Sequence, residues 1–140
     1  MEAVLDYIEE KLDLRPSDRL MNLRNPEDEN LFYAADFVDG SGRVAIHDFF
    51  DLETIKSSVR DLDGFSNLSG VALENTVPFA CDRGGNYFAL EKVGGDMAVI
   101  FFITEGVPEL IYRWRSENEF LTAIRLWKYD GDDKLQVGKL

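Results

Sequence analysis

The chain predicts an α+β domain in which helices pack on a twisted, antiparallel-rich sheet of about five to six strands. Three observations carry that expectation. Apolar residues recur at helical spacing near the start, in the middle and near the end of the 140 residues. Strand-like stretches come in pairs separated by short Gly-rich connections at 39–42, 82–86 and 94–95. The unbroken run Met-Ala-Val-Ile-Phe-Phe-Ile at 97–103 has the length of one strand buried on both faces.

Met1, Val4, Leu5, Ile8 and Leu12 share one helical face among Glu2, Asp6, Glu9, Glu10 and Asp13, so the chain opens with an amphipathic helix that Pro16 ends. Ser17 and Asp18 cap a short second helix carrying Leu20, Met21 and Leu23, which Asn25-Pro26 stops because the residue before proline is driven out of helical geometry. The acidic run Glu27-Asp28-Glu29-Asn30 is a surface connection. Strands at 31–38 and 43–50 follow, joined through Asp39-Gly40-Ser41-Gly42 as a hairpin. Asp51 caps a helix running through Asp61 with Leu52, Ile55, Val59 and Leu62 on one face, and 63–75 is loose. A Pro-led strand then enters the turn at 82–86, an alternating aromatic strand leaves it, and Gly94-Gly95 closes a second hairpin into 97–103. Glu105-Gly106-Val107-Pro108 turns the chain into a strand at 110–114. Ser116 and Glu119 fit a capping box for a helix with Phe120, Leu121, Ile124 and Trp127 on one side, and 130–140 is a frayed tail. No repeat or linker divides residues 1–140, which read as a single domain with a flexible tail at 131–140.

The net charge of −12 is uneven: residues 1–76 hold 17 acidic and 7 basic side chains, against 10 and 8 in 77–140. Such a surface repels nucleic acid and anionic membranes, and it either attracts a cationic protein or, more simply, keeps the chain in solution. The longest apolar run is far short of a membrane span and the start has no signal segment, so the expectation is a soluble, cytoplasmic protein with no membrane partner. The single cysteine, Cys81, cannot form an internal disulfide and lies in an apolar strand pattern where a thiol serves as a small hydrophobe.

Chemistry is sparse. His47 is the only histidine, which excludes multi-histidine metal sites, and no Gly-x-Ser-x-Gly elbow presents a serine to a His47-Asp48 pair. Cys81 beside Arg83 lacks a base, and the glycine pairs at 84–85 and 94–95 have no phosphate-loop spacing. Asp36 with Asp39, and Asp61 with Asp63, are the carboxylates that could converge on a cation, although solvated acidic surface accounts for them more simply. Arg113, Trp114 and Arg115 interleave cations with an aromatic but read better as a strand with one buried face. No catalytic residue, metal or cofactor is expected.

The most informative stretch is 77–93, Val-Pro-Phe-Ala-Cys-Asp-Arg-Gly-Gly-Asn-Tyr-Phe-Ala-Leu-Glu-Lys-Val. Its adjacent glycines let the backbone adopt positive φ, while Asp82 and Asn86 can bond neighbouring amides, which is the signature of a structural corner. The stretch resembles the central motif of the SUKH superfamily of bacterial immunity proteins and fungal regulators of cell-wall glucan synthesis. Pro78, Ala80, Asp82, Gly84, Gly85, Asn86, Phe88 and Leu90 stand at the places of that motif. Residues 36–52, 99–102 and 116–121 are similar to its flanking strands and closing helix, so the likeness covers about 90 residues, 36–126. The chain departs from the family at Arg19, where an aromatic is expected, and at Asn25-Pro26, in place of Asn-Gly.

The resemblance implies a SUKH-like fold and a non-enzymatic binding protein, an immunity protein that binds and neutralises a bacterial polymorphic or contact-dependent toxin. The alternative is a regulatory or scaffold protein akin to the cell-wall synthesis regulators. In the family Pro78, Asp82, Gly84, Gly85 and Asn86 correspond to a structural motif, and partner-facing residues vary. The acidic first half suggests Asp36, Asp39, Asp61 and Asp63 as partner-binding positions toward a toxin domain with a basic surface, the chain acting as monomer or dimer.

Overall fold

A computed structural model describes residues 2–65, 68–130 and 133–139. In helix α1 (Glu2–Leu12) Leu5, Ile8 and Leu12 of the expected stripe are buried and Val4 is half-buried, while the acidic side chains between them face solvent; Met1 lies outside the described residues. The helix ends earlier than Pro16. Asp13 takes left-handed geometry, φ 55°, as its N–H donates to the Glu9 carbonyl at 2.8 Å, and aspartate is among the few side chains that tolerate that region. Arg15 then reaches back to Glu2, Asp6 and Glu9 at 3.0, 3.2 and 3.0 Å, clasping the connection to the outer face of α1. Helix α2 (Asp18–Met21) is capped as expected, the Ser17 hydroxyl accepting from Leu20 N–H at 3.1 Å, and Leu23 falls just beyond it.

Strands β1 (Leu31–Asp36) and β2 (Arg43–Ile46) form the expected hairpin, with Asp39 Oδ1 accepting from Ser41 N–H at 2.8 Å in the turn. The stretch expected to run straight to Phe50 breaks at His47. The chain leaves one sheet there and joins another as β3 (Asp48–Phe49), and His47 N–H donates to the Cys81 carbonyl across the step at 2.8 Å. Helix α3 (Leu52–Leu62) starts on Asp51, whose Oδ1 accepts from Thr54 N–H at 2.9 Å. A single 3₁₀ turn at Leu73–Asn75 leads into β4 (Thr76–Cys81), β5 (Tyr87–Val93), β6 (Asp96–Ile103) and β7 (Glu109–Trp114). Their order β3-β4-β5-β6-β7 is antiparallel throughout, and β6 is buried from Met97 to Phe102, as its composition predicts.

The last third departs most from expectation. Helix α4 (Glu117–Ala123) has Ser116 as its cap, but Glu119 reaches one residue further back than a capping box requires, accepting from Arg115 N–H at 2.7 Å. Ile124 and Trp127 do not continue that helix. At Ile124 the backbone turns extended, φ −78° and ψ 131°, and β8 (Ile124–Asp130) pairs with β1 along five residues. Residues 124–129 alternate aliphatic or Lys with Arg or aromatic side chains, which suits a strand with one inward and one outward face. Where a frayed tail was expected, β9 (Asp133–Lys139) pairs with β8; 131, 132 and 140 lie outside the described residues.

The single sheet expected is therefore two, β2-β1-β8-β9 and β3-β4-β5-β6-β7, within the same α+β class. One core joins inner faces of both sheets, through Ala35, Ile46 and Ile124 on one side and Val77, Phe88, Val99 and Trp114 on the other, with α1, α2, α3 and α4 contributing to it. A smaller cluster, Leu62, Leu68, Ala89, Ile100 and Phe102, fills the opposite face of the five-stranded sheet. That face also holds Glu91, 2% exposed, which accepts from Arg113 Nε and an Arg113 amino group at 2.7 and 2.9 Å, while Arg113 also donates to the Gly70 carbonyl at 2.7 Å. Two polar bonds tie the sheets where β1 ends: Trp114 Nε1 donates to Asp36 O at 2.9 Å, and Tyr112 Oη accepts from Val38 N–H at 2.8 Å.

Candidate functional site

The 82–86 corner is closed upon itself. One Asp82 carboxylate oxygen accepts from Asn86 N–H at 2.8 Å and the other from the Asn86 side-chain amide at 3.0 Å. Asn86 Oδ1 accepts from Thr104 N–H at 3.0 Å, and the Thr104 hydroxyl donates to the Gly85 carbonyl at 3.1 Å, which fastens the β4–β5 turn to the end of β6. Gly85 is left-handed, φ 85°. A Cβ at Gly84 would lie 3.3 Å from the Asn86 amide nitrogen and 3.5 Å from Asp82 Oδ1, pressing on the pair that closes the turn. Pro78 is buried in β4 at the start of a register shift against β5, beyond the two residues that β3 covers, where a missing N–H is tolerated. Asp82, Gly84, Gly85 and Asn86 thus lie at the joint between β4, β5 and β6, and Pro78 stands four residues before it in β4.

The four aspartates fall into two separate places. Asp36 and Asp39 belong to the β1–β2 hairpin, and Asp36 is paired with Arg43 at 3.7 Å and Arg125 at 3.9 Å. Asp61 and Asp63 end α3, beside the smaller cluster, and Asp61 accepts from the Tyr87 hydroxyl at 3.2 Å. Burial first, and then the Asp61 charge, pushes the Tyr87 phenol up to about 12. Asp39 and Asp63 are exposed. Among the described residues no group of three or more His, Cys, Asp or Glu side chains is placed to hold a metal.

Cys81 is half-buried at the end of β4. Burial, followed by the charges of Asp48 and Asp82, pushes its thiol up to about 11, so the reactive thiolate is scarce near neutral pH. His47 is exposed at the step between the sheets, and its carbonyl accepts from the Asn25 side-chain amide at 2.9 Å. Arg113 is committed to Glu91 and Trp114 is fully buried, so the Arg-Trp-Arg stretch offers no open platform.

Concave surface occurs elsewhere. A cleft of about 300 Å³ opens between the 25–31 connection, the end of β2, Arg83 of the corner and Tyr129 of β8. Its wall is fixed: Asp28 accepts from Asn30 N–H at 2.8 Å, and Tyr129 N–H donates to Asn30 O at 2.8 Å. Phe32 and Tyr129 stack inside it with centroids 4.5 Å apart, while the exposed Asp28 and Glu29 line its rim. Two wider depressions, of about 590 and 530 Å³, flank α4 and are lined mostly by polar side chains. The aromatic cleft escapes sequence reading because four distant stretches build it, and only the acidic run at 27–29 stands out in the chain.

No family model, no curated protein and no solved structure matches this chain.

Proposed function

We propose that the chain is a non-enzymatic binding protein that takes a cationic polypeptide onto its acidic side, an immunity-type protein of the kind the SUKH resemblance implies, covering the active site of a toxin domain. The observation that carries this reading is where the acid lies. Glu2, Asp6, Glu9, Glu10 and Asp13 are exposed along α1 and its end, and Glu27, Asp28 and Glu29 are exposed in the connection before β1. A surface of one sign concentrates oppositely charged partners and steers their approach. The reading is supported further by side chains that would otherwise suggest chemistry: Asp82 and Asn86 are bonded to their own corner, and the Cys81 thiol is held well above neutrality.

The test is affinity capture by the full chain from its native cell, identification of the bound polypeptide, and assay of that polypeptide's activity. A basic toxin domain silenced at a one-to-one ratio is expected. A captured protein whose activity persists under excess chain contradicts the reading.

A further inference from the structure

The cleft beside the corner combines two things that a cationic side chain seeks: aromatic faces and carboxylates. Cations are attracted to ring faces within about 6 Å, and a guanidinium, being planar and weakly hydrated, stacks on them better than an ammonium. The same sheet face already seats its own cations this way. The Arg43 guanidinium lies 4.3 Å from the Trp127 ring centre and the Lys134 ammonium 6.0 Å from that of Tyr129. Phe32 stacks on Tyr129 at 4.5 Å and faces Trp127 at 6.5 Å, continuing the row into the cleft. At the rim Asp28 and Glu29 stand with the cation Arg83 and with His47, and Lys134 is the cation already seated near Tyr129.

We infer that this cleft is an anchor site for an arginine side chain presented by the partner, its guanidinium stacked against the Phe32–Tyr129 pair and bonded to Glu29 and Asp28. The inference rests on the proposed cationic partner and adds a place and a side-chain class to it. The walls are braced before the guest arrives, by the Asn30–Tyr129 and Asn25–His47 bonds at 2.8 and 2.9 Å, so little ordering is needed on binding. Lysine would gain the charge but not the planar stack or the two-pronged hydrogen bonding.

The experiment uses N-acetyl-arginine amide as the probe against the isotope-labelled full chain, with N-acetyl-citrulline amide as an uncharged analogue of the same shape. Saturable shifts are expected at Phe32, His47 and Tyr129 with arginine and not with citrulline, and both Glu29→Gln and Phe32→Leu should weaken the arginine response by about threefold or more. Unchanged thermal unfolding of Glu29→Gln, an exposed position, separates loss of binding from loss of fold. Equal responses to arginine and citrulline, shifts confined to α1, or full-strength binding by both variants would overturn the inference. A cleft silent to arginine in a chain whose partner association still weakens with salt sinks the anchor alone. Association indifferent to salt sinks the reading beneath it, whatever arginine does.

Discussion

At the residue scale, the 82–86 corner was legible because its geometry is local: two carboxylate oxygens, one side-chain amide and two glycines within five positions close the turn. Thr104, eighteen residues downstream of Asn86, was not, since nothing in sequence announces which strand end a turn will meet. Asn86→Ala removes two side-chain bonds, to Asp82 and from Thr104 N–H, while the backbone N–H still serves Asp82; a loss of about 1–3 kcal/mol in urea unfolding is expected. Gly85→Ala meets open space but must hold φ 85°, so its cost of about 1 kcal/mol should be purely conformational. Cys81 gives a pH prediction. Its folded value, about 11, lies above the ordinary 9.0, so the neutral thiol stabilises the fold fully below pH 9 and that contribution fades as pH rises toward 11. Alkylation of the native protein should be slow at neutral pH and accelerate only in that window, whereas rapid labelling at pH 7 would contradict the burial described. Asp36 is a poor probe of partner binding because its reversal would release Arg43 and Arg125, and Asp39 because it holds Ser41 in the turn; exposed Asp63 is the cleaner one.

At the element scale, helices α1 and α3 and the hairpins around 39–42 and 94–95 followed from periodicity, caps and turn residues, all of which act within a few positions. The boundary between α4 and β8 did not. Phe120, Leu121, Ile124 and Trp127 satisfy helical spacing, yet pairing with β1 outweighs that local pattern from Ile124 onward, since Ile, Trp and Tyr serve a strand at least as well. The β1–β2 hairpin grows into a four-stranded sheet by that choice, because β8 takes the side of β1 and then offers its own free edge to β9. Trp127→Ala should accordingly cost about 3–5 kcal/mol, as a buried aromatic in a sheet. On the other sheet, Arg113→Ala strands a carboxylate that is 3% exposed, and a loss of about 3 kcal/mol is expected, while Glu91→Leu with Arg113→Leu should cost much less than the single change. Chemical denaturation of the three proteins checks the pair; equal losses in single and double variants would show that packing, not the stranded charge, sets the cost.

For the whole molecule, charge is the property that composition exposes most directly and that the fold distributes. Helix α1 and the 27–29 connection keep their carboxylates in solvent, with Glu2, Asp6 and Glu9 sharing the one cation Arg15, whereas Arg113 is drawn onto buried Glu91, and Arg43 and Arg125 onto Asp36. Glu10, Asp13, Glu27, Asp28 and Glu29, exposed on that side, carry the acidic excess toward a partner. Self-repulsion of that charge should also make the free protein more stable in moderate salt, visible as a rise in melting temperature when sodium chloride is added. The most direct test of the central claim is the association rate of the captured partner with the full chain across ionic strength. Steering by exposed carboxylates predicts a fall of about tenfold or more between roughly 0.05 and 0.5 M salt. A rate that changes by less than about twofold over that range would contradict it.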